Sequence, residues 1–168
     1  MSEIINRVAN SPIITLNLEE FYRKEERVVF DLKDYLFQEL ILREKDFRAA
    51  LKVLDWTQYK GKLVAVTCTA DAIVPNWAFM LVGTYLGSYG VTYVLGDLQA
   101  LEQFLFESSL ADLEPSTYEG RPVVVKGCSK FPVPLYAYGR VVAKIQGHAK
   151  SIMYGEPCST VPLYKAPK

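Results

Sequence analysis

The chain is poor in the residues that usually announce a chemistry, and each shortage excludes something. There is one histidine, His148, so a Ser-His-Asp or Cys-His arrangement has one candidate base at most. His148 falls just before a predicted strand, at the edge opposite the other candidate residues, and is read as a surface histidine rather than a ligand. There are three cysteines, an odd number at wide spacing, which is a poor disulfide framework and fits a reducing cytoplasm. Charge of neither sign is in excess, with 19 Lys plus Arg against 19 Asp plus Glu. No basic stripe appears, which argues against nucleic acid as a partner. Residues 1–12 carry Glu3 and Arg7 and have no apolar core of the kind a signal peptide needs.

Familiar signatures are missing too. There is no Walker sequence, no Gly-x-Ser-x-Gly and no Cys-x-x-Cys. None of the cysteines has an arginine six residues later, and Gly83, Gly87 and Gly90 do not follow a strand, so they are no phosphate fingerprint. No low-complexity run and no repeat of a whole supersecondary unit stands out. One uncharged stretch, residues 72–96, is long enough to span a bilayer by count. Pro75, Asn76 and the turn-forming Gly87-Ser88-Tyr89-Gly90 interrupt it, and a buried helix followed by a buried strand explains it better.

What is present is an alternation of apolar runs and helical patterns. Residues 63–67, 91–95, 122–126 and 151–154 read as strands. Helices are predicted over 75–86, 98–108 and 134–146, with Pro75 and Pro134 at the openings, Asp97 as a cap and Gly147 as a stop. Strands apolar throughout, alternating with helices, indicate a parallel sheet covered on both faces. The expected fold is a three-layer α/β protein with a mostly parallel sheet in a flavodoxin-like order, 2-1-3-4. Residues 61–168 form its core domain. Residues 1–60, with short strands near 13–16 and 27–30 and an amphipathic helix over 44–54, are expected as an N-terminal α+β extension. The tail after Pro162 is expected to be extended.

The three cysteines share a context. Cys68-Thr69 precedes Val74-Pro75, Cys128-Ser129 precedes Val133-Pro134, and Cys158-Ser159 precedes Val161-Pro162. Each follows a predicted strand. In one parallel sheet those strand ends share the carboxyl edge, where ligands of open α/β sheets bind. Cys68 and Cys128 also precede helix N-termini, which favour the thiolate. Three soft ligands select zinc or an iron–sulfur cluster over magnesium or calcium. The expected metal site is therefore Cys68, Cys128 and Cys158, with Asp71 as the best fourth ligand and Glu156 the next. Lys130 stands near Cys128, where an exposed lysine is the plainer reading.

The segments Lys126-Gly127-Cys128-Ser129-Lys130-Phe131-Pro132-Val133-Pro134 and Tyr154-Gly155-Glu156-Pro157-Cys158-Ser159-Thr160-Val161-Pro162-Leu163-Tyr164-Lys165 resemble a bacterial family of uncharacterised proteins, a domain of unknown function. The resemblance extends over nearly the whole chain, including Asn6-Arg7-Val8-Ala9-Asn10-Ser11-Pro12 and Ala70-Asp71-Ala72-Ile73-Val74-Pro75. It brings no activity. Genes of that family tend to lie near iron–sulfur assembly genes, so the resemblance implies metal or cluster work and iron–sulfur assembly proteins as partners. The leading expectation is thus a cytoplasmic protein binding zinc or an iron–sulfur cluster, auxiliary to cluster assembly. The alternatives are a thiol enzyme using Cys68 or Cys128 as nucleophile, and an interaction module whose cysteines are structural. A homodimer fits all three, and no membrane partner is expected.

Overall fold

The structure is a computed structural model that describes residues 12–127, 130–156 and 158–168. Its elements follow in the order β1 (Ile14–Asn17), β2 (Arg27–Asp31), α1 (Glu44–Val53), β3 (Leu63–Thr67), α2 (Asn76–Ser88), β4 (Thr92–Leu95), α3 (Leu98–Leu110), β5 (Pro122–Lys126), α4 (Leu135–Ile145), β6 (Ser151–Glu156) and β7 (Ser159–Lys165). This is the expected mixed α/β class with mainly parallel strands. The chain divides into two compact units. Unit 1 runs through Tyr22 and resumes at Leu105–Lys168, whereas unit 2 is the intervening Arg23–Phe104.

Each unit has its own sheet, and this changes the strand order from the one expected. Unit 2 holds β2-β3-β4, and unit 1 holds β1-β5-β6-β7. All pairs are parallel except β6 with β7. A strand has two edges, and the segments read as an extension occupy the edges assigned to other neighbours. β2 takes the side of β3 away from β4, and β1 takes the side of β5 away from β6. No edge of β3 is left for β5, so the single 2-1-3-4 sheet does not form.

The two units are also the same module. Residues 59 positions apart match from Phe47/Phe106 through Leu51/Leu110, Tyr59/Tyr118, Gly61/Gly120, Val64/Val123, Val74/Val133 and Pro75/Pro134 to Gly96/Gly155. The strand register follows the same spacing. Val64 faces Val28 and Tyr93, and its counterpart Val123 faces Ile14 and Ile152. Here Ile14 is the counterpart of Val28, at a spacing of 14. The difference between the two spacings means that one copy is inserted inside the other, between β1 and α3. A supersecondary repeat is therefore present, contrary to the sequence expectation.

Local detail repeats with the register. Asn17 and Asp31 each end a strand and accept from the N–H two residues on, those of Glu19 and Lys33, to start a 3-10 turn. Asp55 and Glu114 do the same for Thr57 and Ser116. Gly61 and Gly120 follow with φ of +73° and +65°, left-handed values that glycine adopts without a Cβ penalty. Burial pushes the phenols of Tyr59 and Tyr118 above their ordinary value in both copies.

The cores repeat as well. Phe47, Leu51, Val64, Val66, Ala78, Val82 and Leu86 are buried in unit 2, and Phe106, Leu110, Val123, Val125, Ala137, Val141 and Ile145 are buried at the same places in unit 1. Full burial of each large apolar side chain contributes about 1.5–3 kcal/mol. Where the copies differ, volume is exchanged between layers. Gly83 on α2 makes room for Tyr93, since a Cβ there would lie 2.8 Å from the ring, and unit 1 carries Val142 and Ile152 at those two positions.

Candidate functional site

In unit 2 the carboxyl edge of the sheet is built by two strand ends and a helix start. β3 is buried along its length until Thr67, where the chain leaves the sheet. The loop that follows is pinned by Asp31, the last residue of the neighbouring β2. Its carboxylate accepts from the Thr69 N–H (3.0 Å), the Thr69 hydroxyl (2.5 Å) and the Lys33 N–H (2.9 Å). Burial pushes the Asp31 carboxyl up, but the hydroxyl, the two N–H groups and the Lys33 charge outweigh it and hold the group below the ordinary aspartate value. The loop ends at Pro75, which stands as N-cap of α2 and offers no side-chain acceptor to it.

Between these parts lies a cavity of about 530 Å³, lined by Val66, Thr67, Cys68, Asn76, Phe79, Met80, Leu95 and Gly96. The Gly96 N–H donates to the Val66 carbonyl at 2.9 Å. A Cβ on Gly96 would lie 2.8 Å from that of Ala100, so glycine lets β4 pass closely into α3. None of the lining side chains is charged. Thr67, Cys68 and Asn76 supply a hydroxyl, a thiol and an amide, and Phe79, Met80 and Leu95 supply an apolar wall. The volume falls within the roughly 300–1,000 Å³ of small-molecule sites, and the mix of apolar wall with few polar groups is their usual makeup.

The expected metal site is not found. Among the described residues no group of three or more His, Cys, Asp or Glu is placed to hold a metal ion. Cys68 is half-buried in unit 2, while Cys158 is exposed in the turn between β6 and β7 of unit 1. Cys128 lies outside the described residues. Asp71 is exposed in the loop before α2, and Glu156 pairs with Lys126 at 3.0 Å. The physical reason is the partition into two sheets: β3 belongs to one, β5 and β6 to the other. The zinc or iron–sulfur function that rested on a common rim is thereby overturned. His148 pairs with Glu119 at 2.7 Å, and the Cys68 thiol sits 3.9 Å from the Ala70 carbonyl.

The residues that sequence reasoning missed are Asn76, Phe79, Met80 and Leu95, all inside the uncharged stretch 72–96. That stretch forms α2 and β4, and among the described residues no helix is long and apolar enough to cross a membrane. The signal that would have found the cavity is the constant spacing of the two copies. It aligns Cys68 with Gly127 rather than with Cys128, so the cysteines are not the repeated feature.

Fold and cavity together define a mainly parallel α/β protein with a ligand-sized cleft at a strand edge. The chain belongs to the family described as "Protein of unknown function (DUF2480)", whose model matches residues 2–166. Searches of curated proteins and of solved structures found no match.

Proposed function

We propose that this protein binds a small uncharged molecule at the carboxyl edge of β3 and β4, with a hydrogen-bonding end toward Thr67 and Asn76 and an apolar body against Phe79, Met80 and Leu95. The observation that carries this is the composition of the cavity: eight lining residues without a charge, three of them polar and gathered at the strand end and the first turn of α2. Open parallel sheets bind ligands outside the carboxyl ends of their strands, which supports this reading. A strongly charged ligand would leave its charge uncompensated among these side chains.

Cys68 makes the site directly testable by disulfide tethering. Uncharged fragments bearing an amide and a ring are offered as mixed disulfides to the full chain, and capture is mapped to each cysteine by peptide mass spectrometry. Cys158, exposed on its turn, is the internal control. Cys68 is expected to enrich particular fragments about tenfold over Cys158, equivalent to about 1.4 kcal/mol of selective contact. Met80→Trp, at a position 60% exposed, fills the cavity and is expected to abolish that selectivity. Equal capture of the same fragments at both cysteines, unchanged by Met80→Trp, would refute the site.

A further inference from the structure

Unit 1 carries the counterpart of this cavity, and the two differ in a consistent direction. The unit 1 cavity measures about 460 Å³. Val125, Leu135, Tyr138 and Tyr154 line it, at the positions that Val66, Asn76, Phe79 and Leu95 hold in unit 2. Leu135 places an alkyl group where unit 2 has the amide of Asn76, and Thr67 and Cys68 have no lining counterpart. Val142 adds to the wall. Among the described lining residues the polar end of the unit 2 site is thus absent.

A second change reinforces the first. β7 has no equivalent in unit 2, and its Val161 and Leu163 line the cavity. Residues two apart in a strand share a face, so the added hairpin contributes an apolar wall. The Tyr138 and Tyr154 rings meet edge to face with centroids 6.0 Å apart. These apolar groups remain in water: Leu135 is 86% exposed, Val161 58% and Leu163 54%. Covering such apolar area with an apolar occupant is favourable. The flanking charges, Lys126 and Glu156, neutralise each other through contacts of 3.0 and 3.3 Å. The site therefore offers an occupant no net charge, and an uncharged occupant complements it.

From these observations we infer that unit 1 holds a second binding site, for an uncharged, largely apolar small molecule of aromatic or alkyl character, seated between the start of α4 and the β6–β7 hairpin. The two cavities occupy equivalent places in the two copies, and Leu135 and β7 give the unit 1 cavity a different ligand class. This inference does not depend on the unit 2 ligand, because different residues line the two cavities.

Nile red, an uncharged apolar fluorophore, is the probe, titrated into the full chain with light scattering recorded on the same samples. One equivalent is expected to bind to a monodisperse species, with emission shifted to the blue. Leu135→Asp and Leu163→Asp are each expected to weaken binding at least tenfold without lowering the thermal midpoint, since both side chains are largely exposed. Met80→Trp in unit 2 is expected to leave it unchanged. Absence of binding, binding indifferent to both aspartate variants, or loss of binding to Met80→Trp alone would overturn the inference. So would dye binding that follows self-association, which would make the groove a face for a second copy.

Discussion

Replacing Trp56 with alanine is expected to destabilise unit 2 by about 3–5 kcal/mol, the range for deleting a buried aromatic. Trp56 is 3% exposed. Its ring stacks on Tyr85 at 4.8 Å and on Phe30 at 5.6 Å, nearly parallel to both. Each such pair contributes about 0.5–1.5 kcal/mol beyond its buried area. The indole N–H also donates to the Leu51 carbonyl at 2.9 Å, so removal leaves a buried acceptor unpaired at a further cost of about 1–3 kcal/mol. Trp56→Phe keeps most of the packing and loses the hydrogen bond, and should fall between wild type and alanine. Unit 1 has Pro115 at this position, so the stacked aromatic layer belongs to one copy. Urea unfolding followed by the fluorescence of Trp77, which packs 6.2 Å from Phe47 in the same unit, gives the measurement. A loss below about 1 kcal/mol would mean that the ring is not sealed into a core as described.

Gly155→Val is expected to be the most damaging change in unit 1 outside its core. Gly155 has φ of +120°, and a Cβ there would lie 2.6 Å from the Ser159 carbonyl oxygen across the hairpin. That backbone region is nearly exclusive to glycine and costs of order 1–3 kcal/mol for other residues. The contact is with backbone, which has no rotamer to yield, so the strain and the clash add. Gly155 pairs with Thr160 at the closed end of β6–β7, and opening that end withdraws Val161 and Leu163 from the unit 1 cavity. Two readouts should move together: a lower urea midpoint and Nile red binding weakened at least as much as in Leu163→Asp. Its counterpart Gly96 is held by a different contact, with Ala100. The glycine is therefore kept in both copies for unlike reasons. A Gly155→Val protein with unchanged midpoint and dye binding would contradict the hairpin geometry.

Much of the local structure was legible in the sequence. The runs 63–67 and 122–126 announce strands because they are apolar and β-branched throughout. Asp97 announces a helix, and it does cap α3, accepting from the Ala100 N–H at 2.8 Å. Pairing between strands was not legible, because it is non-local: nothing in residues 27–31 states that they lie beside 63–67. The repeat was hidden by its nesting, which gives the first strands a spacing of 14 and the rest a spacing of 59. Val74-Pro75 and Val133-Pro134 were its visible trace. Val161-Pro162 has the same letters but lies in β7, where Pro162 falls beside the register irregularity opposite Ile152 and Met153, a place where an edge strand tolerates proline. Counting that third pair with the other two turned a duplicated helix start into an imagined ring of thiols.

One module is used twice in this chain, each copy with its own sheet and its own core. Hydrogen exchange of the full chain carrying Leu51→Ala or Leu110→Ala tests this most directly. These are counterpart residues, buried in different cores, and each truncation should cost about 2–5 kcal/mol. The expected result is that Leu51→Ala accelerates exchange in β2, β3 and β4 and spares β1, β5 and β6, while Leu110→Ala does the reverse. Acceleration of all of these strands to the same extent by either variant, or of the sheet opposite to the mutated core, would contradict it.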